Sequence, residues 1–428
     1  MHGPLDHVKS LFQSEKQTFR DIGVKINPSV EGLGLVTVEE LGRRNERPLL
    51  SLEFCWLPRH LVESYNSSTA TEREEVLVKK VWTNCPLNCK GCFVKNPALF
   101  GDHDLLYPEQ IMTLIEEAVQ KLGAKSIKYL GPTEFFRDPD AFEHLDRFEE
   151  LGVTLGIFAK DPMFGSDKEV ERVFGHIDLK TSEEFVAKLS KYRHLRILYN
   201  FRSFRSDVTN DLVRGGYQGK EDFPGNYHAI QTRSLHLLYE YLVRQELEAG
   251  REARLMMLNA PITPNTVMEA LEIFKHFTDR GVTVCSTASM QSGCGSQLYV
   301  RQSPEFVAKL ARYYAKAMQH SVRRGMIPRG YYEELGPSPY AGIAHCIQMC
   351  SGVIIRETGQ LMRCPGADHA AWCDHLAPEE LLKNGLAWAW KRTKNHAMEP
   401  RLNHGCLAKP DLFTAAFLRE VMRLYRQP

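Results

Sequence analysis

Three cysteines, Cys85, Cys89 and Cys92, fall within eight residues in the run Asn84-Cys85-Pro86-Leu87-Asn88-Cys89-Lys90-Gly91-Cys92-Phe93. Three thiolates on so tight a loop can hold three irons of a four-iron cluster and leave the fourth iron open to another ligand. A zinc knuckle or half of a ferredoxin-like site is the competing chemistry, but both want a fourth ligand close by, and the flanking residues offer none. A second group, Cys346, Cys350, Cys364, Cys373 and Cys406, crowds the last quarter of the chain, while Cys55, Cys285 and Cys294 stand apart. In a reducing compartment, eleven cysteines speak for metal ligation rather than disulfides, and two dense groups imply two metal centres.

The remainder of the 428 residues is ordinary globular material, 43% apolar and 25% charged, enough for a sizeable core. Fifty-four basic residues oppose fifty-three acidic ones, a balance that argues against a nucleic-acid surface as the main business. Met1–Lys16 lacks the apolar stretch of a secretory signal, and no window reaches the apolar length of a membrane span, so the expected location is the cytoplasm.

Short β-branched runs alternate with segments of helical period, the pattern of βα units around a parallel sheet. Six strands are expected, at Val76–Trp82, Ser126–Leu130, Val153–Ala159, Leu195–Phe201, Arg254–Asn259 and Val282–Thr287. Pro108 opens a helix whose apolar stripe is Ile111, Leu114, Ile115, Ala118 and Leu122 and which Gly123 stops. Asn265 is the expected N-cap of another, with Val267, Ala270, Leu271, Phe274 and Phe277 on its apolar face and Gly281 at its end. Ser303 and Pro304 begin a third, running to about Arg324. Six units predict an α/β fold, a partial (βα)6 TIM-type barrel, with reactive groups on the loops after the strands. The expected organisation is an N-terminal extension over 1–75, the barrel over 76–300, and a C-terminal helix with a cluster-binding extension over 301–428.

With the Cys-x3-Cys-x2-Cys loop expected directly after the first strand, residues 76–300 resemble the radical S-adenosylmethionine enzymes. The resemblance implies a [4Fe-4S] cluster on Cys85, Cys89 and Cys92, with the amino and carboxylate groups of S-adenosylmethionine on the open iron. Reductive cleavage would then give a 5′-deoxyadenosyl radical that abstracts hydrogen from a substrate. Where the family places an aromatic residue before the last cysteine, this sequence has Gly91, and Phe93 follows one residue after the cysteine as the candidate cofactor contact. Tyr129-Leu130-Gly131-Pro132-Thr133-Glu134-Phe135 looks like a divergent Gly-Gly-Glu motif, in which Gly131 lets the backbone approach the cofactor and Glu134 accepts hydrogen bonds from its ammonium group. At the ends of the fourth and fifth strands, Asn200 and Asn259 are candidates for polar contacts to S-adenosylmethionine, with Arg202 or Arg205 available for a carboxylate. The alternative for each asparagine is a side chain that merely caps a strand-end turn.

In the second group, Val353–Arg356 and Gln360–Arg363 form an expected hairpin around Glu357-Thr358-Gly359. The region resembles the SPASM/Twitch auxiliary-cluster extension, with Gly359 and Cys364 as its Gly-x4-Cys. This implies one auxiliary iron–sulfur cluster on Cys346, Cys364, Cys373 and Cys406, with Cys350 as an alternative to Cys346. A zinc ribbon is the competing use of four thiolates on a hairpin.

An auxiliary cluster can take an electron from a substrate radical, which yields dehydrogenation or bond formation. Return of a hydrogen atom instead yields epimerisation and requires a donor thiol, for which Cys294 is the candidate; Cys55 and Cys285 read as structural. The leading expectation is a radical enzyme acting on a polar small molecule such as a sugar, aminocyclitol or nucleotide-linked compound, served by a reductant such as flavodoxin or ferredoxin. The alternatives are a radical enzyme that matures a ribosomal peptide, and a non-catalytic iron–sulfur electron carrier.

Overall fold

The computed structural model describes residues 49, 51–87, 89–92, 100, 103–213, 227–288, 303–324, 352–362, 373–374 and 376–392, with 416, 419, 420, 423 and 424 near the C-terminus. Among them, nine strands make one sheet in the order β6-β5-β4-β3-β2-β1-β7-β8-β9. The strands are β1 Ser51–Trp56, β2 Ser126–Pro132, β3 Thr154–Ala159, β4 Leu195–Asn200, β5 Leu255–Ile262, β6 Thr283–Ala288, β7 Gly352–Ile355, β8 Leu361–Met362 and β9 Cys373–Asp374. Strands β1 to β6 pair in parallel with their sequence neighbours, and helices fill the connections. The chain is thus a mixed α/β fold on a mostly parallel sheet, as the alternating pattern predicts. No described helix is long and apolar enough to cross a membrane.

Strand alternation explains the layering. Leu52, Phe54 and Trp56 of β1, Ile127 and Tyr129 of β2, Leu155 and Ile157 of β3, and Ile197 and Tyr199 of β4 join the main core beside the helices. The intervening residues line the other face, where Cys55, Leu130, Ile354 and Met362 pack together and Leu198, Met256 and Cys285 form a second group. On that face Glu53 and Lys128 stand opposite one another in register and form a buried ion pair at 2.9 Å.

The expected strands from Ser126 onward coincide with β2 to β6 to within a few residues. The first does not. Residues 76–82 are helical: Ala70–Val76 is a helix, Leu77–Val81 a π-helical turn and Trp82–Asn84 its last turn. Thr69 and Glu72 cap this segment reciprocally, with the Thr69 N–H donating to Glu72 Oε2 at 2.9 Å, and Glu75 pairs with Lys79 one turn on. Only Val76, Leu77 and Val81 of its apolar run are buried, whereas Val78 faces solvent. The first strand is Ser51–Trp56, buried along its whole length and lying upstream of residue 76.

The helix Pro108–Leu122 ends at Gly123, and Pro304–Arg323 follows Ser303, whose Oγ accepts from the Phe306 N–H at 3.1 Å. Asn265 is not an N-cap. The helix there spans Ala270–Thr278, because Thr263 and Thr266 first close a turn, with the Thr263 N–H donating to Thr266 Oγ1 at 2.9 Å.

The hairpin expected around Glu357-Thr358-Gly359 is present as β7 and β8, paired antiparallel through Ile354–Met362 and Ile355–Leu361. Gly359 turns it with φ +78°, donating its N–H to the Arg356 carbonyl at 2.9 Å. β7 also pairs in parallel with β1, from Ser51–Gly352 to Phe54–Ile355, so this C-terminal hairpin extends the parallel sheet at its β1 edge.

Candidate active site

The cysteine loop leaves the helical segment at Cys85 and crosses the carboxyl ends of β3 and β4. Cys89 makes an isolated antiparallel bridge with Val213, and Lys90 Nζ pairs with Asp211 at 2.8 Å, so the loop is docked on the segment that follows β4. Cys89 is buried with Leu87, Val213 and Tyr227, and Cys85 packs against the same cluster.

Lys160 is the first residue after β3, and its Nζ donates to Cys89 Sγ at 3.3 Å. Both of its backbone groups are held. The N–H donates to Glu134 Oε2 at 3.0 Å, and the carbonyl accepts from Tyr227 Oη at 2.7 Å. The following residue, Asp161, is fully buried; its Oδ1 accepts from the Met163 N–H and from Arg137 at 2.9 Å, and Arg137 also contacts Glu169. A buried network of opposite charges thus fixes the loop after β3 beneath the cysteines.

Glu134 is placed by its neighbours in β2. Gly131 at φ +126° turns the end of the strand, and Phe135, one residue after Glu134, stacks on Trp56 and meets Tyr129 edge-on. Glu134 is 6% exposed. Burial, and next the nearby Asp161, push its pKa up to about 7 against the pull of Lys160 and Arg137.

The thiols differ. Burial raises the pKa of Cys85, with Glu134 and Cys89 adding to the effect. Burial acts the same way on Cys89, but the Lys160 and Arg202 cations outweigh it and hold that thiol below its ordinary value. Burial works against the Lys160 ammonium, yet the Cys89 thiolate and Glu134 raise its pKa overall.

Asn200 ends β4, where its Oδ1 accepts from Arg202 Nε at 3.3 Å and its carbonyl accepts from Gln231 Nε2 at 3.2 Å. Arg202 is 4% exposed and its Nη1 has no hydrogen-bond partner among the described residues. Arg205 is half exposed and is occupied by Asp207 and Glu269. Of the two arginines, Arg202 is the buried one, with an open donor at Nη1 among the described residues.

The structure thus joins Cys89 and Glu134 through Lys160, with Cys85, Asn200 and Arg202 beside them. Asn259 lies in β5 opposite Ser286 and Cys373 in β9 opposite Met362. Phe93, Cys294, Cys346, Cys350, Cys364 and Cys406 lie outside the described residues. Cys55, 1% exposed, and Cys285 sit among apolar side chains as core thiols. Sequence reasoning missed Lys160, Asp161 and Arg137. The signal for the first two was their position directly after a strand that the pattern does reveal.

The donor types suit an iron–sulfur cluster: three thiols on one loop, one of them acidified by two cations. The described side chains do not close into a ready cage, since no three His, Cys, Asp or Glu residues among them gather as a metal-holding group.

A scan against protein-family models matches none, and a search of curated proteins finds no match. Among solved structures the chain is similar to Streptococcus suis SuiB, with 14% identity over 86% of this chain and 67% of that one and a TM-score of 0.43. It is also similar to SuiB bound to S-adenosylmethionine, with 15% identity over 94% and 88% of the two chains and a TM-score of 0.48. Likenesses at this distance carry no argument for function.

Proposed function

We propose that this chain is a radical S-adenosylmethionine enzyme whose cluster is held by Cys85, Cys89 and Cys92. The observation that carries the reading is the Cys-x3-Cys-x2-Cys loop resting on Lys160, with Glu134 and Arg202 beside it after β2 and β4. When bound and reduced, the cluster supplies the electron that splits S-adenosylmethionine into methionine and a 5′-deoxyadenosyl radical.

The protein's own part is binding, orientation and exclusion of water. Glu134, buried behind the loop, is the acceptor for the N–H of the cosubstrate's amino group. Arg202, with its open Nη1, is the donor for its carboxylate. Asn200 holds Arg202 in place through the Oδ1–Nε contact.

The substrate is a polar small molecule, the outcome is dehydrogenation or epimerisation, Cys294 is the hydrogen-atom donor in the epimerising case, and the electron comes from a protein such as flavodoxin or ferredoxin. The second cysteine group forms an auxiliary iron–sulfur site. What supports it is the strand pairing: Cys373 stands opposite Met362, two residues before Cys364, on the hairpin that extends the sheet from β1.

The test is anaerobic reconstitution with iron and sulfide, followed by S-adenosylmethionine and a strong reductant. The native protein is expected to release 5′-deoxyadenosine and methionine, and Cys89→Ala none. A reconstituted native protein that leaves the sulfonium intact refutes the reading.

A further inference from the structure

Lys160 Nζ lies in direct contact with a first-group thiol, donating to Cys89 Sγ at 3.3 Å. We propose that Lys160 is a positioning residue that sets the reduction potential of the cluster at Cys85, Cys89 and Cys92 by donating a charged hydrogen bond to the Cys89 sulfur. This rests on the function proposed above and goes beyond it, since that function assigns Lys160 no role.

Three observations make the contact a built one. The Lys160 backbone is fixed from both sides, by Glu134 at its N–H and by the Tyr227 hydroxyl at its carbonyl. Its chain neighbour Asp161 is locked by Arg137 and by the Met163 N–H. On the other partner, the Cys89 backbone is bridged to Val213 and its neighbour Lys90 is tied to Asp211. Neither end of the hydrogen bond is free to drift, so ordering it on reduction costs little.

Reduction adds one negative charge to the cluster and its thiolates. A cation that donates to one of those sulfurs favours the reduced state, and both hydrogen bonds to sulfur and local charge are recognised levers on such potentials.

The experiment is a redox titration of the reconstituted full chain followed by electron paramagnetic resonance, reading the signal that changes when S-adenosylmethionine is added. Lys160→Met is expected to lower the reduced-to-oxidised ratio at a fixed potential about tenfold, which is a shift of about 59 mV for a one-electron couple. Lys160→Arg is expected to stay near the native value. Lys160→Gln replaces the methionine variant should that one fail to load iron. A loaded, folded variant without the cation that titrates at the native potential overturns the proposal alone. A native protein showing no signal that responds to S-adenosylmethionine refutes the function and this proposal with it.

Discussion

The carboxylate of Glu134 accepts the backbone N–H of Lys160 at 3.0 Å, so the loops after β2 and β3 are joined directly beneath the cysteine loop. The acid on which the cosubstrate's amino group would rest is therefore the same group that fixes the lysine contacting Cys89. With its pKa pushed up to about 7, Glu134 changes charge around neutral pH.

That value gives a pH dependence with a definite sign. The ionised carboxylate is the stronger acceptor for the cosubstrate's amino group, so the affinity for S-adenosylmethionine is expected to rise as the pH climbs from 6 to 8. Glu134→Gln is expected to bind roughly ten- to a hundredfold more weakly at pH 8, from the loss of a charged hydrogen bond of about 1.5–3 kcal/mol, and to show a flat profile. Equilibrium binding at several pH values checks this, and an identical slope in the variant would assign the titration elsewhere.

Arg202 and Arg205 separate by their partners. Arg202→Met is expected to weaken S-adenosylmethionine binding by about tenfold or more, because a buried guanidinium with an open donor loses its anion contact. Arg205→Met, which removes an exposed pair with Asp207 and Glu269, is expected to change it by less than a factor of about five. Titration calorimetry decides between them, and the reverse order would transfer the role to Arg205.

The two cysteine groups are expected to load independently. Cys364→Ala and Cys373→Ala should lower the iron content while S-adenosylmethionine is still cleaved, whereas Cys85→Ala should abolish cleavage and leave the second group's iron. Elemental analysis combined with a 5′-deoxyadenosine assay checks both. Stoichiometric zinc in the native protein would establish the zinc-ribbon alternative for the C-terminal group.

The glycines at the hairpin and at the Pro108 helix make a matched pair for stability. Both have positive φ, but a Cβ on Gly359 would stand 3.1 Å from Pro378 Cα, whereas one on Gly123 would meet nothing within 4 Å. Gly123→Ala is expected to cost about 1–2 kcal/mol from backbone strain, and Gly359→Ala more, since it adds a steric clash with backbone. Urea denaturation of the two variants measures the difference; equal costs would mean that Pro378 moves aside.

Strands β2 to β6 were legible because each is a short β-prone run between helical segments, several of which end in glycine. β1 was not, because Ser51 and Glu53 interrupt its apolar run. Glu53 is tolerated there only through Lys128 on the neighbouring strand, seventy-five positions away in the chain, and no local window contains that pairing. The valines at 76, 78 and 81 read as a strand by propensity, yet the Thr69–Glu72 cap and the Glu75–Lys79 pair govern that segment. At the site, the cysteine spacing and Glu134 could be read directly. Lys160 could not be assigned a role, since its partner thiol lies seventy-one residues upstream and a single lysine after a strand has no pattern of its own.

The parallel pairing of β7 with β1 also orders events during synthesis. Until residue 355 has left the ribosome, the outer margin of β1 presents unsatisfied amide and carbonyl groups along a strand buried over its whole length. A nascent or truncated chain ending before that point carries an adhesive border, open to pairing with another copy, and its safe completion depends on the arrival of four residues from the far end of the polypeptide.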